Sequence, residues 1–491
     1  MVNSSGSLED WQGLTNVAWG ASVYYQSAEK FDRSVRDPAG DEYYGGRPML
    51  LGKFGVMDWR PDLDAHGAAE SPSHHRFPVW WTGDWVDLMG SVNTMVDGGI
   101  HGFKPYVHSD CGGDHRYTGG DLVRWVAHCS FGSIMRLHGN DHRPWSYDSG
   151  VEDDVREYLR ARARLAPSLI AAGHRATLTA FPPVARADFY WPDHAPDSAD
   201  NSQYIFLDDL LVAPMDTVCL ERSGSPDTST SNSPCDRIDA APNSADVHGW
   251  GWQCTSTTAC NSNASGGHTF SSRSVWIPPG QWHDAWNGSV VTGPKSIRVT
   301  QPYHQQPMWH RAGGMVVLCD KPGLRVSEQD WSNLTLEIFP AARGSGVVEA
   351  ERTVFERSAA SSSHDVGQTH LRLLTSADDG TVRLKIGAGS RGVPARAWLV
   401  RIHLLPGQSV VAGSPTLITL DEHGDETGGQ AVRVHSSDMQ VLQPVSGSAA
   451  PRHFPLRGAG SAPPTGAGAV VEVALAGSSR ARVLELALSQ V

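Results

Sequence analysis

Between about residues 45 and 180, short apolar runs with polar ends alternate with amphipathic stretches, which predicts an α/β barrel or parallel sheet. Pro48–Lys53 reads as a strand and Pro78–Trp81 as a second, ending at Thr82-Gly83-Asp84. Lys104–Asp110 reads as a third and Ile134–His138 as a fourth. After the second strand, Leu88, Val92 and Met95 fall on one face of a helix, and Gly98-Gly99 read as its stop. Asp121–Ala127 predicts another helix. A long one starts near Val151, with Glu152, Asp153 and Asp154 in its first turn and arginines after them, the order that suits the helix dipole. Pro167 should kink or divide it.

From about residue 200 the pattern becomes β. Val275–Gly280, Ser289–Val291 and Leu334–Phe339 read as strands between turns, and the region from about 321 onward predicts a β-sandwich with a loose Gly/Pro/Ala patch at 457–468. The polar stretch at about 216–270 predicts a surface insertion. It holds Cys219, Cys235, Cys254 and Cys260 without any Cys-x-x-Cys spacing, so disulfides are the expectation there rather than a metal. No other metal-ligand spacing is evident, and no cofactor is implied.

At 491 residues the chain is too long for one core, so several domains are expected. A formal net charge of -13 argues against nucleic acid as partner and is compatible with a neutral ligand such as a sugar. No apolar run is long enough to span a bilayer. The cysteine cluster and the sequons at Asn3, Asn263, Asn287 and Asn333 point to a secreted or lumenal protein, whereas Met1–Trp11 lacks the apolar centre of a signal peptide. The expectation is therefore that the true N-terminus lies upstream.

Asp84, Asp110 and His138 stand at the C-terminal ends of three successive strands, where barrel active sites are built. Each alone could be an N-cap or loop residue. Together they favour a polar site, and carboxylates there suit glycoside hydrolysis, in which one protonates the leaving oxygen and another attacks the anomeric carbon.

Several segments resemble glycoside hydrolase family 31, in family order. They are His75–Asp84, with its Trp81-Thr82-Gly83-Asp84 ending, His108-Ser109-Asp110-Cys111-Gly112-Gly113, Leu122–Trp125, Arg136-Leu137-His138, Tyr204–Pro214, Ser274–Asp284 and Arg311–Gly314. The resemblance covers roughly residues 11–320. It implies the C-terminal half of a (β/α)8 barrel within 1–195, a proximal β-domain within 196–320 carrying the insertion, and a distal β-sandwich within 321–491. It further implies a retaining α-glycosidase, α-glucosides being the expected substrates, with Asp84 as general acid/base. Asp110 and His138 match positions that hydrogen-bond the sugar, Trp81 an aromatic of the pocket wall, and Arg76 a basic position near the acid/base. Lys53 stands where the family usually has Arg, which keeps the charge but not the two-pronged donor. The nucleophile belongs to a strand preceding the segment that Gly13–Gly20 resembles. Asp10, in Asp10-Trp11-Gln12, is a substitute too close to Gly13, so the nucleophile is expected upstream of Met1. The alternative is a non-catalytic carbohydrate-binding or regulatory remnant.

Overall fold

In the computed structural model the described residues are 51–52, 79–81, 88–101, 106–112, 119–138, 143–215, 236–239, 250–253, 270–355, 367–419, 430–433, 438–442 and 469–489, less short gaps inside these ranges. Asn3, Asn263, the four cysteines of the insertion and the 457–468 patch lie outside them.

Four parallel segments follow one another. Strands β1 (Leu51–Gly52), β2 (Val79–Trp81) and β3 (Val107–His108) form a sheet in that order, with Leu51 paired to Val79 and Trp80 to Val107. The fourth segment joins through a parallel bridge between Cys111 and Leu137. Helices α1 (Leu88–His101) and α2 (Gly119–Ser130) lie between the later strands, as a β/α barrel requires. Contrary to the predicted stop at Gly98-Gly99, α1 runs on to His101. Gly99 has a packing role instead, since a Cβ there would meet the Val184 carbonyl at 3.1 Å and Pro182 at 3.3 Å. Pro167 divides the long helix as expected into α3 (Ser149–Arg164) and α4 (Ala166–Thr179), sitting in the first turn of α4 where its missing N–H costs nothing.

A six-stranded antiparallel sheet follows. Its strands are β4 (Val184–Ala185), β5 (Tyr204–Phe206), β6 (Leu210–Val212), β9 (Phe270–Asp284), β10 (Val290–Pro302) and β11 (Met308–Arg311), in the order β10-β9-β11-β6-β5-β4. Between β6 and β9 the insertion carries a small pair, β7 (Asp236–Asp239) with β8 (Trp250–Gln253). The barrel helices pack on this sheet through Leu122, Trp125, Phe131, Tyr158, Tyr204, Phe206 and Met308. Two buried side chains fasten the contact. Arg124 donates from its guanidinium to the carbonyls of Gln301, Pro302 and Gln305 at 3.1–3.3 Å. The Tyr158 hydroxyl donates to His304 O at 2.9 Å and accepts from Gln306 N–H at 3.0 Å.

The rest is a sandwich. One sheet has the order β12 (Gly314–Cys319), β13 (Asn333–Phe339), β17 (Arg396–His403), β21 (Val470–Ser478), β20 (Met439–Leu442). The other has β14 (Val347–Phe355), β15 (Gln368–Ser376), β16 (Thr381–Ile386), β22 (Arg482–Ala487), β18 (Thr416–Thr419), β19 (Gln430–Arg433). Leu336, Trp398, Val400 and Val473 of the first sheet meet Leu371, Leu384 and Leu484 of the second in one core. On the opposite face of β13, Glu337 is buried directly across from Arg401, which in turn faces Glu472, a cross-strand row of alternating charge. The edge strand β12 is closed by α4, whose Ser168 hydroxyl donates to Val317 O at 2.8 Å and accepts from Val317 N–H at 3.1 Å.

Candidate functional site

Side chains alternate across a strand, so His108 and Asp110 project to one side of the sheet and Val107 and Cys111 to the other. The bridge between Cys111 and Leu137 sets the register of the neighbouring segment, with Cys111 N–H donating to Arg136 O at 2.9 Å and His138 N–H to Cys111 O at 3.2 Å. Arg136 and His138 therefore share the side of His108 and Asp110. Val107, Cys111 and Leu137 occupy the opposite side and pack into the apolar cluster beneath the helices. The separation is fixed twice more. The Ser133 hydroxyl bonds both Val107 N–H and Val107 O at 3.1 and 3.0 Å, and Cys111 is joined to Cys129 of α2 by a disulfide with a Cα–Cα distance of 6.2 Å.

On the polar side, Asp110 is the centre. Its carboxylate accepts from His108 Nε2 at 3.1 Å and from Arg136 on the same oxygen, while its other oxygen lies 3.6 Å from His138 Nδ1. The exposure is graded. Asp110 and His108 side chains are 1% exposed or less, whereas those of Arg136 and His138 are 40% and 32% exposed. Burial alone would push the Asp110 carboxyl up, but the His108 hydrogen bond and the Arg136 and His138 charges outweigh it and hold the group below the ordinary carboxylate range. The arrangement is an ionised acceptor set behind two half-exposed side chains, Arg136 and His138.

Of the residues that the sequence singled out, Asp110 and His138 are thus in one cluster. Asp10, Lys53, Arg76 and Asp84 lie outside the described residues, and of Trp81 only the backbone at the end of β2 is described, paired with His108. Two members of the cluster were missed. His108 is two residues before Asp110 and Arg136 two before His138; the period-2 rule applied to those two strands was the signal that pointed to both. The Cys111–Cys129 disulfide was also missed, because its two cysteines stand 18 residues apart, one after a strand and one in a helix, with no local pairing signal.

Comparison with known proteins bears on the same region. Residues 68–172 match the glycosyl hydrolases family 31 TIM-barrel domain. The chain is 22% identical over 363 residues to alpha-glucosidase 2 of Bacillus thermoamyloliquefaciens, covering 72% of this chain and 37% of that protein. It is 27% identical over 226 residues to alpha-xylosidase 1 of Arabidopsis thaliana, covering 44% and 23%. The chain thus spans well under half the length of the curated relatives it matches. In fold it is similar to the GH31 dextranase of Flavobacterium johnsoniae complexed with glucose (TM-score 0.56, 16% identity, 84% of this chain and 44% of that one). It is similar also to the glucosidase II alpha subunit (TM-score 0.59, 15% identity, 96% and 42%). Four parallel barrel segments with intervening helices, the β-sheets that follow them and the matched barrel domain agree: residues 68–172 match the family 31 TIM-barrel domain, and the chain is similar to members of glycoside hydrolase family 31.

Proposed function

We propose that this chain carries the acid/base half of a retaining α-glycosidase acting on terminal α-glycosidic bonds, with α-glucosides as the first substrates to try. The observation that carries the proposal is the Asp110 cluster. A buried carboxylate lies 3.6 Å from the His138 ring, across two adjacent barrel segments, with a cationic Arg136 beside them. That is a hydrogen-bonding floor for sugar hydroxyls. Asp84 follows the end of β2 by three residues in the sequence. In this reading it gives its proton to the departing glycosidic oxygen and then, as a base, takes one from water. The attacking carboxylate comes from the preceding part of the barrel, Asp10 being the weak local candidate, and Lys53 and Trp81 line the sugar pocket. The substrate chemistry of the relatives, glucosides and xylosides by name, supports the class of reaction.

The test is Asp84→Asn in the complete enzyme. Cleavage of maltose-type substrates should fall by about 10²–10⁴-fold, the usual contribution of a general acid. Aryl α-glucosides with activated leaving groups should lose less in the glycosylation step, and external azide should restore turnover. Equal rates for the parent and the variant on maltose-type substrates would refute the assignment.

A further inference from the structure

A cleft of about 590 Å³ opens between α4 and the distal sandwich, sharing no residue with the Asp110 cluster. Its size is that of a small-molecule site. Helix α4 forms one wall with Ser168, Ala171, Ala172 and Arg175, the i, i+3, i+4 and i+7 positions of one helix face. Met315 and Val317 of β12 close the back, and Leu178, 79% exposed, stands at the rim. The other wall comes from β14, β15 and β16. There Glu351 is directly opposite Arg372, Arg372 is opposite Lys385, and Thr353 is opposite His370.

The chain carries a net charge of -13, but the cleft does not share it. Its lining holds four cations, Arg175, Arg352, Arg372 and Lys385, against the carboxylates of Asp208 and Glu351. Two of the cations are already engaged. Arg175 pairs with Asp208, and Arg352 with Asp208 and with Asp209, which fastens α4 and β14 to the turn between β5 and β6. The other two are not. Arg372 gives Nε to Glu349, with Glu351 3.8 Å from the same nitrogen, and its terminal nitrogens make no hydrogen bond among the described residues. Lys385 has neither a hydrogen bond nor an ion pair among the described residues. The acid of the adjoining strand β22, Glu485, pairs with Arg383 at 3.0 Å instead. His370, one pleat from Arg372 on the same face, is engaged through Nδ1, bonded to the Thr353 hydroxyl at 3.0 Å. Two cations directly opposite each other weaken a ladder, and an anion between them removes that repulsion.

We propose that this cleft binds a small organic anion: a carboxylate seated between Lys385 and the free end of Arg372, with an aryl or alkyl body laid along Ala171 and Leu178. The apolar half of the ligand follows from the α4 wall, which offers it methyl groups. A neutral sugar is the poorer occupant. It needs hydroxyl partners, and the one hydroxyl on that wall, Ser168, is taken by both backbone groups of Val317. The proposal stands apart from the glycosidase reading, since it uses none of the residues that carry that reading.

The test titrates the chain, labelled with [methyl-13C]methionine, with 4-phenylbutyrate and with its neutral match 4-phenylbutanamide. The Met315 methyl resonance, assigned by its loss in Met315→Leu, reports from the back of the cleft. The acid should shift it saturably with a Kd of about 1 mM or tighter. The amide should bind about fivefold more weakly or worse. Lys385→Gln, a surface substitution that leaves the fold intact, should weaken the acid about fivefold and leave the amide unchanged. Ala171→Trp, which fills the space beside α4, should remove the response to both. No saturable shift at Met315, equal affinity for acid and amide, or unchanged affinity for the acid in Lys385→Gln would each overturn the proposal. So would displacement of the acid by maltose, which would make the cleft a saccharide site.

Discussion

Tyr158→Phe removes one oxygen from the junction between the barrel helices and the six-stranded sheet. The tyrosine is fully buried on α3, and its hydroxyl is both donor to His304 O and acceptor for Gln306 N–H, at 2.9 and 3.0 Å. Phenylalanine fills nearly the same volume, so no cavity term enters. What changes is that two backbone groups lose this partner, and Gln306 is 0% exposed, with no route to solvent. A buried backbone group left without a hydrogen bond costs about 1–3 kcal/mol. Two of them give an expected loss of about 2–4 kcal/mol, localised to this junction. The readout is amide hydrogen exchange of the 301–306 segment by mass spectrometry, with urea denaturation alongside. The variant should exchange faster in that segment by a factor of about 30 or more, if opening there is governed by the same free energy. A denaturation loss below about 1 kcal/mol with unchanged exchange at 301–306 would refute the claim that this hydroxyl holds the two layers together.

Cys129→Ser opens the Cys111–Cys129 loop, whose sequence separation of 18 predicts a loss of about 3 kcal/mol, read as a lower thermal midpoint under non-reducing conditions. Glu337→Gln removes the charge of one of the acidic partners of buried Arg401 and should cost about 3 kcal/mol by chemical denaturation. Acid should weaken the fold in two stages. Burial lowers His283 to about 4 and His128 to about 3, so these rings stay neutral in the folded state while the unfolded chain takes up protons from about pH 6.5. Their contribution is complete above pH 6.5 and is lost as the pH falls toward 4 and 3, at up to ~1.4 kcal/mol per pH unit for each ring. Burial pushes Glu337 up, but Arg401 and His403 bring it down to about 2, so its contribution is present above about pH 4.5 and is lost as the pH falls toward 2. His283→Gln should flatten the thermal-midpoint profile between pH 6.5 and 4; an unchanged slope would exclude His283 as a source of it.

The parallel strands were legible because each is a short apolar run with a polar end, and the division at Pro167 because proline at a helix start needs no donor. The Gly98-Gly99 stop was misread for a tertiary reason. Gly99 has Pro182 and the Val184 carbonyl against it, and a glycine selected for close approach looks in sequence like a glycine selected to end a helix. The same limit applied to the site. Asp110 and His138 stood out as strand-end residues, whereas His108 and Arg136 acquire their meaning only when the Cys111–Leu137 bridge fixes which positions share a side. Arg124 was visible as part of a family-like segment, but its three carbonyl partners lie about 180 residues further along the chain, beyond any local pattern. Glu337 was hidden in the same way. In Leu334–Phe339 it reads as the solvent side of an alternating strand, yet that side is covered, with Phe339 stacked between His310 and His403.

The hydroxyl of Ser168 mimics a missing strand. It offers Val317 one acceptor and one donor at hydrogen-bonding distance, as a neighbouring backbone would. With alanine at that position, β12 would present an unmet N–H and C=O pair beside a row of buried apolar residues, a template that a second copy of the chain could extend. One oxygen atom on a helix thus meets both backbone groups that an open edge would offer at this position.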